Sequence, residues 1–169
     1  MKRYIWISGL LLLACGGMTE QIIENVTGEE ITFSEDGFES TLPNDGRVSI
    51  QWGEGVQHSD ALVFEPPPDG TLEISGLVTF PDQPESHFVI YQTPADKDTI
   101  AAKYRQQLES MGMTVEEEHQ EGDALVLQAS QGELTYIVAI ESGTDSVTRV
   151  TLGQGSESAL EEGMNANPM

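Results

Sequence analysis

Three histidines, one cysteine and a large excess of carboxylates are the residues of this chain whose types could do chemistry. His58, His87 and His119 would together suit a divalent metal, because imidazole nitrogen with nearby carboxylate oxygen makes a workable ligand set. They fall in separate segments without short ligand spacing, so the plain reading is three histidines on surfaces or strand ends. Glu116-Glu117-Glu118 beside His119 is the densest acid/base cluster, and a solvated strand end accounts for it. Gly53-Glu54-Gly55 lacks the third glycine and the strand-to-helix setting of a dinucleotide loop, and Ser34-Glu35-Asp36-Gly37 lacks the spaced oxygen ligands of a calcium loop. No serine-hydrolase elbow, phosphate-cradling loop or zinc-protease motif is present. The residues therefore predict no catalytic site, no cofactor and no metal, and the protein is expected not to be an enzyme. Cys15, the single cysteine, excludes an intramolecular disulfide. It closes an apolar run, and its thiolate is the strongest side-chain nucleophile for accepting a lipid group.

That run has the form of a secretory leader. Lys2 and Arg3 give a positive start, Tyr4 to Ala14 are apolar over about eleven residues, and small residues follow at Ala14, Gly16 and Gly17. A spanning helix needs roughly 20 residues, so the run is too short to cross a bilayer. Leu12-Leu13-Ala14-Cys15 resembles the lipobox of bacterial lipoproteins. The resemblance implies cleavage between Ala14 and Cys15, lipidation of Cys15, and a membrane partner reached through the anchor. Such lipoproteins carry several acyl chains, and two or more are needed because a single buried chain gives only marginal binding. Gly16 stands where an aspartate would, by the family's sorting rule, favour retention in the inner membrane; its presence implies the outer membrane.

Composition narrows the partners. Without Lys2 and Arg3, five basic residues face 29 acidic ones, a surface that repels nucleic acid and anionic headgroups. The acidity reads either as complementarity to a basic or cation-rich partner or as adaptation of exported proteins to salt; the scarcity of lysine favours the latter. A hydrophobic content of 38% is enough for one modest core.

The elements that must position any site follow from periodicity. Thr19 to Val26 reads as a short N-terminal helix with Ile22, Ile23 and Val26 on one face. Residues 30 to 52 alternate with period two around Asp36-Gly37 and Asp45-Gly46, predicting a three-stranded meander. Glu65-Pro66-Pro67-Pro68-Asp69-Gly70 reads as a stiff extended connector. Leu72 to Val78 and His87 to Tyr91 read as strands. The helix that follows is capped by Asp96 or Thr93, ends near Ser110 before Gly112, and presents Ile100, Tyr104, Leu108 and Met111 on one face. Strands are expected at 113–118, 124–130, 134–140 and 147–152. Trp52, Phe64, Phe88, Tyr91, Tyr104 and Tyr136 are spaced as core residues.

Together these predict an α+β domain: antiparallel sheets in a small sandwich, one main helix packed on a sheet face, and the short N-terminal helix. The organisation is a signal peptide over 1–14, a lipidated N-terminus and short helix over 15–29, the domain over 30–153, and a disordered tail over 154–169. The stretch from Tyr91 to Val115, with Tyr104, Leu108, Gly112 and Met113, resembles the strand-helix-strand unit of small uncharacterised bacterial lipoproteins, a likeness that brings no activity with it. The expected function is a non-catalytic binding or structural module of the envelope, with an envelope protein as its partner. The alternative is a small hydrolase, or a ligand- or cation-binding protein, whose polar groups converge only in the fold.

Overall fold

The computed structural model describes residues 31–42, 45–121, 124–143 and 147–156. Three short strands open it: β1 (Ile31–Ser34), β2 (Gly37–Leu42) and β3 (Gly46–Trp52). After a long crossing come β4 (Thr71–Thr79) and β5 (Ser86–Thr93), then the helix α1 (Lys97–Ser110), then β6 (Val115–Glu121), β7 (Ala124–Gln131), β8 (Leu134–Ser142) and β9 (Thr148–Ser156). The turn before β3 places Asp45 itself in the left-handed region, at φ 58°, ahead of Gly46. Asp tolerates this conformation because its short side chain bonds locally.

Among the described residues, nine strands form one antiparallel sheet in the order β1-β2-β3-β4-β5-β9-β8-β7-β6. This corrects the expected sandwich. The deciding contact is β5 with β9, paired from His87↔Gln154 to Thr93↔Thr148. That pairing joins the two meanders edge to edge, so among the described residues no second sheet stacks on the first, and the second layer is α1 with the crossing segment. The expected N-terminal helix lies outside the described residues. β9 also runs on through Ser156, past the residue 153 expected to end the domain.

α1 starts where Asp96 accepts the Thr99 N–H at 2.9 Å and the Thr99 hydroxyl at 2.7 Å. These bonds favour the ionised cap and hold its carboxyl below the usual value of 3.8. The helix ends at Gly112, whose φ of 79° suits glycine. Ile100, Ala101, Tyr104 and Leu108 are buried, with Met111 partly so, against Leu127, Val138, Ile140 and Leu152 of the sheet. The other side of the sheet holds smaller apolar clusters, one built on Phe38 and Ile50 with Trp52, Ile74 and Phe88 packed against them.

Candidate functional site

Between β3 and β4 the chain crosses the helix side as a strap of residues 53–70. Its apolar residues explain why it stays down. Leu62 and Phe64 are buried in the main core, and the Phe64 ring meets Tyr104 and Tyr136 edge-on at 5.8 and 6.2 Å. Its backbone carbonyls are then taken up one after another. Gln107 Nε2 donates to Val63 O at 3.0 Å, Tyr104 Oη to Glu65 O at 2.9 Å, Lys103 Nζ to Pro66 O at 2.6 Å, and Thr93 Oγ1 to Pro68 O at 2.6 Å. Burial, with Tyr91 and Glu65 nearby, raises the Tyr104 phenol well above its ordinary range, so it remains a donor at any physiological pH. The prolines serve this geometry: they lack N–H groups, and their carbonyls go to Lys103 of the helix, to the Gly70 N–H and to Thr93 of β5.

The same strap brings two of the three histidines together above β5. His58 Nδ1 lies 2.8 Å from the hydroxyl of Tyr91, a phenol that burial pushes up. The neighbouring Ser59 Oγ lies 3.0 Å from His87 Nδ1, and Glu85 Oε2 lies 3.4 Å from His87 Nε2. His87 is 13% exposed and Glu85 62% exposed. His87, Val89 and Tyr91 alternate on one face of β5, and Val89 and Tyr91 fix that face as the helix side. His119 is elsewhere, in the edge strand β6 opposite Val126. Among the described residues no group of three or more His, Cys, Asp or Glu side chains could hold a metal ion.

The helix side of β1 to β4 carries a groove. Two adjoining depressions of about 410 and 340 Å³ share Thr32, Glu39 and Ser49. The first runs to Ser34, Gln51 and the loop at Glu54–Val56; the second runs to Thr41, Arg47, Leu77 and Thr79. Register explains the lining. Thr32, Glu39, Ser49, Leu77, His87 and Gln154 are successive cross-strand partners over six strands. At about 4.8 Å per strand, Thr32 and His87 are roughly 19 Å apart, so the groove and the histidine cluster occupy one continuous row. Hydroxyls of Ser and Thr, the Gln51 amide and apolar surface from Val56 and Leu77 line it in comparable measure, with Arg47 and the carboxylates of Asp36, Glu39 and Glu54 as its charges.

Residues 77–155 match a family model described as START domain-like. The matched stretch runs from the second half of β4 through α1 to Gly155 of β9. The strap and the first three strands lie outside it, so the groove is built mainly by strands that precede the matched stretch. No curated protein and no solved structure gives a significant match.

Of the residues singled out in the sequence, Ala14 and Cys15 lie outside the described residues. The aromatics divide: Phe64, Tyr91, Tyr104 and Tyr136 enter the helix-side core, while Trp52 and Phe88 join the cluster on the other side. Ser59 was missed altogether. The partner that gives it meaning, His87, is 28 residues away in the chain, and period two in β5 signalled only that His87 and Tyr91 share a face.

Proposed function

We propose that the protein is a ligand-binding module held in the cell envelope, at the outer membrane, by lipid on Cys15, with the groove over β1 to β4 as its ligand site. The groove carries the reading. It is a long depression beside the helix-covered core, and its volumes lie in the range of small-molecule sites. The likeness of residues 77–155 to a START domain-like model supports it, because START-like domains generally bind ligands. The lining suits a ligand that exchanges hydrogen bonds with Ser, Thr and Gln side chains and lays an apolar part against Val56 and Leu77. A formal net charge of −22 and three carboxylates in or beside the groove against Arg47 select one that is neutral or cationic.

Chemical-shift mapping on the unlipidated mature chain tests the groove, using small neutral polyols and oligosaccharides as probes. Shifts confined to Thr32, Glu39, Ser49 and Thr79, and lost in Ser49→Trp, are expected. Scattered or absent shifts would reject the site. The anchor is tested separately by cell fractionation: the native chain should partition with membranes, and Cys15→Ala should lose both the lipid and that partition. Recovery of Cys15→Ala with lipid attached would end the anchor assignment.

A further inference from the structure

We propose that Ser59, His87 and Glu85 form a hydrolytic centre for neutral or cationic carboxylic esters at the end of the groove. This goes beyond ligand binding and uses the groove only to seat the substrate. Three observations carry it. First, a nucleophile and a base are within hydrogen-bond reach, Ser59 Oγ to His87 Nδ1 at 3.0 Å. Second, the base has an orienting group on its other nitrogen, since Glu85 Oε2 stands 3.4 Å from Nε2. A carboxylate there favours the tautomer with its proton on Nε2, leaving the Nδ1 lone pair facing the serine. The arrangement is that of a serine–histidine–carboxylate triad with the two ring nitrogens exchanged, and such centres are recognised by geometry and role. Third, the cluster has both a firm base and a place for substrate. His87 sits in an interior strand, half-buried, and its cross-strand partner Leu77 lines the groove.

The turn carrying the nucleophile is itself fixed. Leu62 N–H donates to Ser59 O at 3.0 Å, His58 is tied to Tyr91, and Ala61 N–H is directed at Ser59 Oγ at 3.4 Å. That N–H helps to hold Oγ in place and would have to turn from it to the oxyanion formed on the carbon that Oγ attacks. In the first step Oγ bonds to the ester carbonyl carbon while its proton passes to His87 Nδ1. The ester C–O bond then breaks, and the leaving alcohol takes that proton. Water, deprotonated by the same nitrogen, adds to the acyl-serine; the acid leaves and Ser59 recovers its proton. Ser59 and His87 are the catalytic residues, and Glu85 is a positioning residue.

The test uses the full chain with diisopropyl fluorophosphate and 4-nitrophenyl acetate. Labelling at Ser59 alone is expected, with turnover falling about 100-fold or more in Ser59→Ala and His87→Gln. Glu85→Gln should lower kcat roughly tenfold with KM unchanged, because it alters the base without touching the substrate. Arg47→Ala in the groove should change KM and leave Ser59 labelling intact, which separates failure of the groove from failure of the centre. Native chain that takes no label, or is labelled and turns over equally in Ser59→Ala, overturns the proposal. Labelling of the native chain decides the matter even if a variant does not fold.

Discussion

Replacing Phe64 with alanine is expected to destabilise the protein by about 3–5 kcal/mol, the range for emptying a buried aromatic site. Phe64 is 2% exposed, and its ring fills the space between α1 and β8 with edge-on contacts to Tyr104 and Tyr136. The cavity could close only if the strap sank towards the sheet. The carbonyls of Val63, Glu65 and Pro66 are tied to Gln107, Tyr104 and Lys103, so sinking would break bonds that now hold the strap level with the helix. Urea unfolding of Phe64→Ala beside Val63→Ala checks this. Val63 is 39% exposed, and its truncation should stay within about 0.5 kcal/mol. Equal midpoints for the two variants would mean that the strap contributes no core. Because Ser59 and His58 ride on the same strap, Phe64→Ala should also loosen the serine–histidine contact.

Gly76→Ala is the second large effect, and its sign runs against backbone propensity. Replacing a strand glycine normally stabilises by about 0.4–1 kcal/mol, through the lower entropy of the unfolded chain. At position 76 the added methyl would fall inside the ring of Phe88, which lies across this glycine from the neighbouring strand in direct register. The ring must leave the cluster of Phe38, Ile50, Trp52 and Ile74, and overpacking of this kind costs about 1–3 kcal/mol. Gly153 supplies the contrast. A methyl there meets only Ile137 Cβ, at 4.0 Å, an ordinary contact, so Gly153→Ala should be neutral or stabilising. Thermal melting of both variants, and of Gly76→Ala combined with Phe88→Ala, tests the assignment. The double variant should lose less than the sum of its parts because the two changes share one clash. Additive losses would place the strain elsewhere.

Local pattern carried much of the information about elements. Period two over residues 31–52 and the fourfold spacing of Ile100, Tyr104 and Leu108 are properties of neighbouring residues, and backbone geometry turns them directly into strands and a helix. The cap at Asp96 and the stop at Gly112 were legible for the same reason. The proposed leader and lipidation at Cys15 rest on sequence alone, since an apolar run ending at a cysteine is a local pattern that needs no fold to be read. How the strands assemble is a different kind of fact. Whether two meanders stack or join depends on one pairing, β5 with β9, between segments about 60 residues apart. Alternation fits either outcome, because a strand with one buried face looks the same under a second sheet or under a helix. The sequence likewise determined that His58, Ser59, Glu85 and His87 exist, and that they belong to two separate segments. Only the strap, pinned by Phe64 and by the side chains of α1, set Ser59 against His87 and placed both at the end of the groove. Contact over such separations follows from the packing of the whole core, which no window of neighbouring residues contains.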